Sequence, residues 1–176
     1  LREDNPTAVK QWIPTGSRWL DSIVCKGKYA GIPVGKVTEL AGLEATGKSF
    51  LAATCAANAQ KMGIGVIYFL GSMMYVQAQS VEFVLETIEE LLGATDDQLL
   101  FIWDSLAFTP SVSDVAGDFN PQSSVATKAR ILAKAMSKLV IPLADKKATF
   151  LVLNQLKTNI PHGPMARQIA MTESPK

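Results

Sequence analysis

Apolar and polar positions alternate along the chain in a way that predicts strands followed by helices. Residues 37–41 form an apolar-rich run, and an Ala-rich stretch of helix length follows at 50–62, stopped by Gly63. Residues 64–69, Ile-Gly-Val-Ile-Tyr-Phe, read as a buried strand. From 80 to 92, Val81, Val84, Leu85, Ile88, Leu91 and Leu92 fall on one helical face. Glu82, Glu86, Glu89 and Glu90 fall on the other, so the helix is amphipathic, with Ser80 its N-cap and the Glu run its solvated side. A third core strand covers 99–105, with the acid Asp104 at its end. A long helix covers 124–147, with Pro142 placed to kink it, and a fourth core strand at 148–155 ends in an amide. Nearer the start, a turn at 13–17 precedes a short helix at 18–24, with Ser17 as its cap. Strands alternating with helices predict an α/β fold whose largely parallel, twisted sheet is flanked by helices.

Two stretches break the pattern. Residues 74–77 also read as a strand, yet they follow the strand at 64–69 almost at once. Parallel neighbours need a crossover of about a dozen residues or more, so this spacing permits only a hairpin at Gly71-Ser72. Residues 107–123, rich in Ser, Pro, Asp, Asn and Gly, are expected to be a long irregular loop, and a second irregular stretch begins at 156.

With 176 residues, 48% hydrophobic and 19% charged, the chain is long enough for one sizeable core and is not a disordered composition. A net charge of +1 gives no bulk electrostatic case for a nucleic-acid partner. Cys25 and Cys55 make neither a disulfide framework nor a metal site, and no run of about 18 apolar residues predicts a membrane span. These features suggest a cytoplasmic setting. Both ends read as cut from something longer, with any oligomerisation element ahead of Leu1.

The chemistry lies in Gly42-Leu43-Glu44-Ala45-Thr46-Gly47-Lys48-Ser49, which fits G-x-x-x-x-G-K-S. A strand before it and a helix after it are the context this phosphate-binding loop requires. Its glycines turn backbone N–H groups inward around an anion, and the following helix points its positive end at the same spot. Lys48 is expected at the β/γ-phosphates and Ser49 on Mg²⁺. Asp104 ends the third core strand about 55 residues later, at the sheet edge where α/β folds place ligands, and completes a metal-holding pair. Gln155 ends the fourth strand on the same edge, either as an ordinary loop hydrogen-bonder or as a group that orients water.

In order, Ile13-Pro-Thr-Gly-Ser-x-x-Leu-Asp21, Gly31 to Gly42, the loop, Asp104-Ser-Leu-Ala107 and Leu153-Asn-Gln155 resemble the RecA-type recombinases, the phage-encoded branch included. The likeness runs from about residue 10 to 160. It implies a P-loop ATPase core using ATP and Mg²⁺, and a DNA-dependent ATPase that self-associates into a helical filament on single-stranded DNA for strand exchange. It also implies that Gln155 senses the γ-phosphate. The segments 110–123 and 156–172 would then be the DNA loops, with Phe119, Arg130, Lys157 and Arg167 as contacts. Without the resemblance, Arg130 reads as a solvated helix position, Phe119 as a loop residue packing on its own domain, and His162 as an ordinary loop residue.

The chain departs from that pattern after its second core strand. The family places a catalytic acid there, then a helix with an aromatic that stacks on adenine. Here no acid occurs between Phe69 and Glu82. Residues 1–12 are thus expected to be a lead-in and 13–176 the ATPase core, with a segment missing at or just after 69/70. A relative that binds ATP and barely hydrolyses it is the other reading of the gap. A hexameric helicase or clock-type ATPase on the same core, or a non-hydrolysing ATP-binding accessory protein, remain the rival functions.

Overall fold

The computed structural model describes residues 8–27, 31–70, 76–116 and 121–156. Five strands form one sheet in the order β3-β7-β6-β4-β5: β3 (Val37–Gly42), β4 (Gly65–Leu70), β5 (Val76–Gln77), β6 (Leu99–Asp104) and β7 (Thr149–Gln155). Every pairing in it is parallel. The helices are α1 (Arg18–Val24), α2 (Lys48–Lys61), α3 (Val81–Ala94), α4 (Val112–Ala116) and α5 (Pro121–Asp145). The chain is therefore a mixed α/β fold with a parallel sheet flanked by helices, as the alternation predicts.

Side-chain period two sends successive residues of the central strands to opposite faces, and both faces are dry. On one face Phe101, Trp103, Phe69, Phe150 and Val152 pack with Val84, Leu85 and Ile88 of α3 and with Leu139 and Leu143 of α5. On the other, Leu100, Ile102, Leu151 and Leu153 meet Ala52, Cys55 and Ala59 of α2. The near-continuous apolar runs of β6 and β7 follow from burial on both sides.

A two-stranded antiparallel pair, β1 (Trp12–Ile13) with β2 (Ile32–Pro33), closes the α2 side. No periodic pattern in the sequence announces these two short strands. Gly31 has φ +112°, and a Cβ there would lie 1.8 Å from the Ile13 carbonyl oxygen, so only glycine admits this approach. Asp21 is buried behind the pair and accepts from the backbone N–H and hydroxyl of Thr15. The Ser17 and Ser80 caps form as predicted, accepting from the amides of Leu20 and Phe83.

Two expectations are corrected. β5 pairs parallel with β4, Phe69 beside Val76 and Leu70 beside Gln77, so the two strands are not a hairpin. The ladder is only two residues long, so the chain has to step back very little, and the length rule for full crossovers does not bind. The stretch 107–123 is not one irregular loop: a 3₁₀ turn (Leu106–Phe108), α4 and the start of α5 lie in it. Phe119 lies outside the described residues, as do Lys157, His162 and Arg167. Pro142 sits inside α5 near its C-terminal end.

Candidate nucleotide site

The loop 42–49 leaves the C-terminal end of β3 and enters α2 without a side-chain cap. Gly47 stands at the N-cap with φ +86°, a conformation that costs a residue with a Cβ far more than glycine. Ala45 also has positive φ, 57°, which marks the loop as held in an uncommon conformation. The Thr46 hydroxyl donates to the Leu43 carbonyl at 2.8 Å and fastens the turn on itself. Lys48 lays its ammonium on the same turn, donating to the Gly42 and Leu43 carbonyls. The free N–H groups of the first helical turn and this cation face one recess of about 310 Å³, lined by residues 45–50.

Two other strands bring their ends alongside. Gln155 of β7 is in register with Gly42 of β3, and the Leu156 N–H donates to the Gly42 carbonyl at 3.0 Å. The Gln155 Oε1 is enclosed and has no hydrogen-bond partner among the described residues. Asp104 ends β6 half-buried, opposite Leu70 of β4. The preceding residue, Trp103, is fully buried and stacks on Phe150 with centroids 6.2 Å apart. Its indole N–H donates to Thr109, whose hydroxyl donates to the Ser105 carbonyl, so the turn beyond Asp104 is tied to the core. The Asp104–Ser105 peptide is cis.

Asp104 and Ser49 line one groove of about 470 Å³ between α2 and β4, together with Ala53, Ala57, Val66 and Tyr68. Among the described residues no group of three or more His, Cys, Asp or Glu is placed to hold a metal ion. A Ser–Asp pair instead suits Mg²⁺ that arrives with phosphates and keeps waters of its own. The Tyr68 hydroxyl donates to Asp104 Oδ2 at 3.3 Å. Burial foremost, then the charge of Asp104 and this bond, pushes the phenol well above its ordinary range, so it stays a donor.

The structure therefore brings the loop, Asp104 and Gln155 to one sheet edge, as the motif spacing predicts. Arg130 lies exposed on α5. Sequence reasoning missed Tyr68 and Phe50, which lines the recess. For Tyr68 the available signal was a hydroxyl in an otherwise apolar strand, and for Phe50 an aromatic among the small residues opening α2. Among the described residues no helix is long and apolar enough to cross a membrane.

No protein-family model matches the chain. Curated relatives do. RecA of Arthrobacter sp. (strain FB24) is 30% identical over 175 residues, covering 89% of this chain and 48% of its own length. RecA of Streptomyces coelicolor is 31% identical over 167 residues, 84% of this chain and 43% of its own. RecA of Symbiobacterium thermophilum is 32% identical over 168 residues, 84% and 46% respectively. The chain thus spans about half the length of the curated relatives it matches. A phosphate loop, a strand-end acid and a strand-end glutamine on one edge of a parallel sheet accompany those identities, and over the length it has, the chain belongs to the RecA family.

Proposed function

We propose that the chain binds ATP with Mg²⁺ and couples that binding to single-stranded DNA, as the ATPase core of a recombinase that pairs and exchanges homologous strands. The observation that carries this is the convergence of residues 42–49, Asp104 and Gln155 on the C-terminal edge of the sheet. Backbone N–H groups of 42–49 and Lys48 would hold the phosphates, and Ser49 with Asp104 would hold Mg²⁺. The metal supplies neutralisation of the phosphate charge. Gln155, with an enclosed amide oxygen that has no donor among the described residues and its neighbour bonded to Gly42, is suited to register the γ-phosphate and pass its state to the chain after 156. Exposed Arg130, with Phe119, Lys157 and Arg167, would contact DNA, and copies of the chain would assemble along it as a filament. These partners set the work in the cytoplasm of a bacterium or a phage-infected host.

The same reading includes a segment missing between β4 and β5. The connections β3 to β4, β5 to β6 and β6 to β7 each carry a helix, while five residues separate β4 from β5.

ATP turnover with and without single-stranded DNA, beside Lys48→Ala, tests the reading. Stimulation by DNA that Lys48→Ala abolishes is the expected result. Turnover indifferent to DNA moves the chain to the ring ATPases of the same core. Tight ATP binding without turnover makes it an ATP-dependent accessory protein.

A further inference from the structure

We infer that Phe50 is the stacking platform for the base of the bound nucleotide. Phe50 is the third residue of α2 and leaves 80% of its surface exposed. A single exposed aromatic is ordinary. This one also lines the phosphate recess, and no other aromatic does so among the described residues. The buried stripe of α2 is Ala52, Cys55 and Ala59, so the ring points away from the core that holds the helix. Its neighbours in the recess, Ala45, Thr46, Gly47, Lys48 and Ser49, provide N–H groups, a cation and a hydroxyl. They offer a triphosphate everything it needs and a base nothing.

A triphosphate seated in that cradle leaves its sugar and base outside, where Phe50 is the apolar surface within the same recess. A ring face recognises any nucleobase and favours purines, whose larger π surface overlaps it more fully. The ligand class is therefore a purine nucleoside triphosphate, held at one end by charge and at the other by stacking. The inference rests on the ATP reading of residues 42–49 and adds to it the contact that separates a nucleotide from bare phosphate.

Equilibrium binding of ATP and of inorganic tripolyphosphate to the unaltered chain, Phe50→Ala, Phe50→Trp and Lys48→Ala distinguishes the two levels. Phe50→Ala is expected to weaken ATP about fivefold or more, the lower end of a stacking loss, and to leave tripolyphosphate unchanged. Phe50→Trp restores ATP affinity, and ATP quenches the new indole. Lys48→Ala weakens both ligands. Equal weakening of both ligands in Phe50→Ala means a disturbed cradle and overturns the platform, as does no change in either. If Lys48→Ala weakens both ligands while Phe50→Ala weakens neither, the nucleotide site stands and Phe50 has no part in it. If the unaltered chain binds neither ligand, both readings fall. Because the ring is exposed, Phe50→Ala opens no cavity, and an unchanged melting temperature confirms that the fold is intact.

Discussion

Asp104 owes its setting to two neighbours that the motif does not contain. Trp103 anchors the strand from the core side, and Tyr68 holds one carboxylate oxygen from the groove side. With Oδ2 engaged, Oδ1 is the oxygen that would face Mg²⁺ or its water under the proposed function. Tyr68→Phe removes one atom and should make Asp104 less ordered. A hydrogen bond to a charged acceptor contributes about 1.5–3 kcal/mol, and a 3.3 Å bond at a partly open groove belongs near or below the lower end, about 1 kcal/mol. The expected result is a Mg²⁺ midpoint for ATP binding raised about fivefold, with binding in excess chelator unchanged; an unmoved midpoint removes Tyr68 from the site. Cys55 offers a second test at this scale. Burial first, and the charge of Asp21 second, push its thiol from 9.0 to about 11. In the unfolded chain the thiol ionises near its ordinary value, so the folded state binds more protons between those pH values. Stability present below pH 9 is then lost as pH rises toward 11, by about 2 kcal/mol. Denaturant titrations at pH 8 and 10.5 should show a smaller loss in Cys55→Ala than in the unaltered chain. Of these residues the sequence reveals Asp104 through its place at a strand end. Tyr68 and Asp21 stay hidden because their partners, Asp104 and Thr15, are found only once strands and turns are assembled.

Among the elements, those with a long periodic pattern are readable and those with none are not. α3 declares itself through six apolar positions on one face, and β6 and β7 through unbroken apolar runs. β1 and β2 are two residues each, and their pairing depends on Gly31 letting one backbone touch another, which no window of sequence displays. α4 is five residues without a buried member, so no apolar stripe marks it. The direction of β5 is the instructive case. The spacing rule for parallel strands excludes the observed pairing only if the ladder is long, and here it is two residues. Meanwhile the α2–β4 groove keeps Ala53 and Ala57 exposed, on a sheet face where the central strands are otherwise covered. Inserting a helical crossover of about a dozen residues or more between residues 70 and 76 should cover it. The expected outcome is a melting temperature several degrees higher, reversed when Ala57→Lys is added to the insertion. Ala57→Lys alone should move the present chain by less than about 0.5 kcal/mol, as for an exposed helix position. An insertion that leaves the melting temperature unchanged, or that tolerates Ala57→Lys, removes the missing-crossover reading.

Across the whole molecule, one sheet edge gathers residues more than a hundred positions apart, and it does so at a cost. Gln155 has its amide oxygen enclosed without a donor among the described residues, while its backbone neighbour bonds Gly42 of the phosphate loop. A buried acceptor left unpaired costs about 1–3 kcal/mol, so such a group calls for a partner, whether a ligand or an ordered water. The spacing of Gly42 and Gln155 along the sequence reveals nothing of this; their register across β3 and β7 does. Stability and function should therefore respond to Gln155 with opposite signs. Gln155→Met keeps the volume and removes the unpaired oxygen, so the nucleotide-free chain should become more stable by about 1 kcal/mol, read from denaturant midpoints. ATP should still protect this variant against unfolding, because residues 42–49, Ser49 and Asp104 are untouched, and saturating nucleotide at about a hundred times its dissociation constant should add about 2.7 kcal/mol as in the unaltered chain. What the variant should lose is the link between ligands. On the proposed function, ATP should tighten single-stranded DNA binding in the unaltered chain and, by reciprocity, DNA should tighten ATP; in Gln155→Met each should bind with an affinity indifferent to the other. A variant that is destabilised makes Gln155 a structural residue, and one that keeps the coupling places the nucleotide sensor elsewhere on the edge.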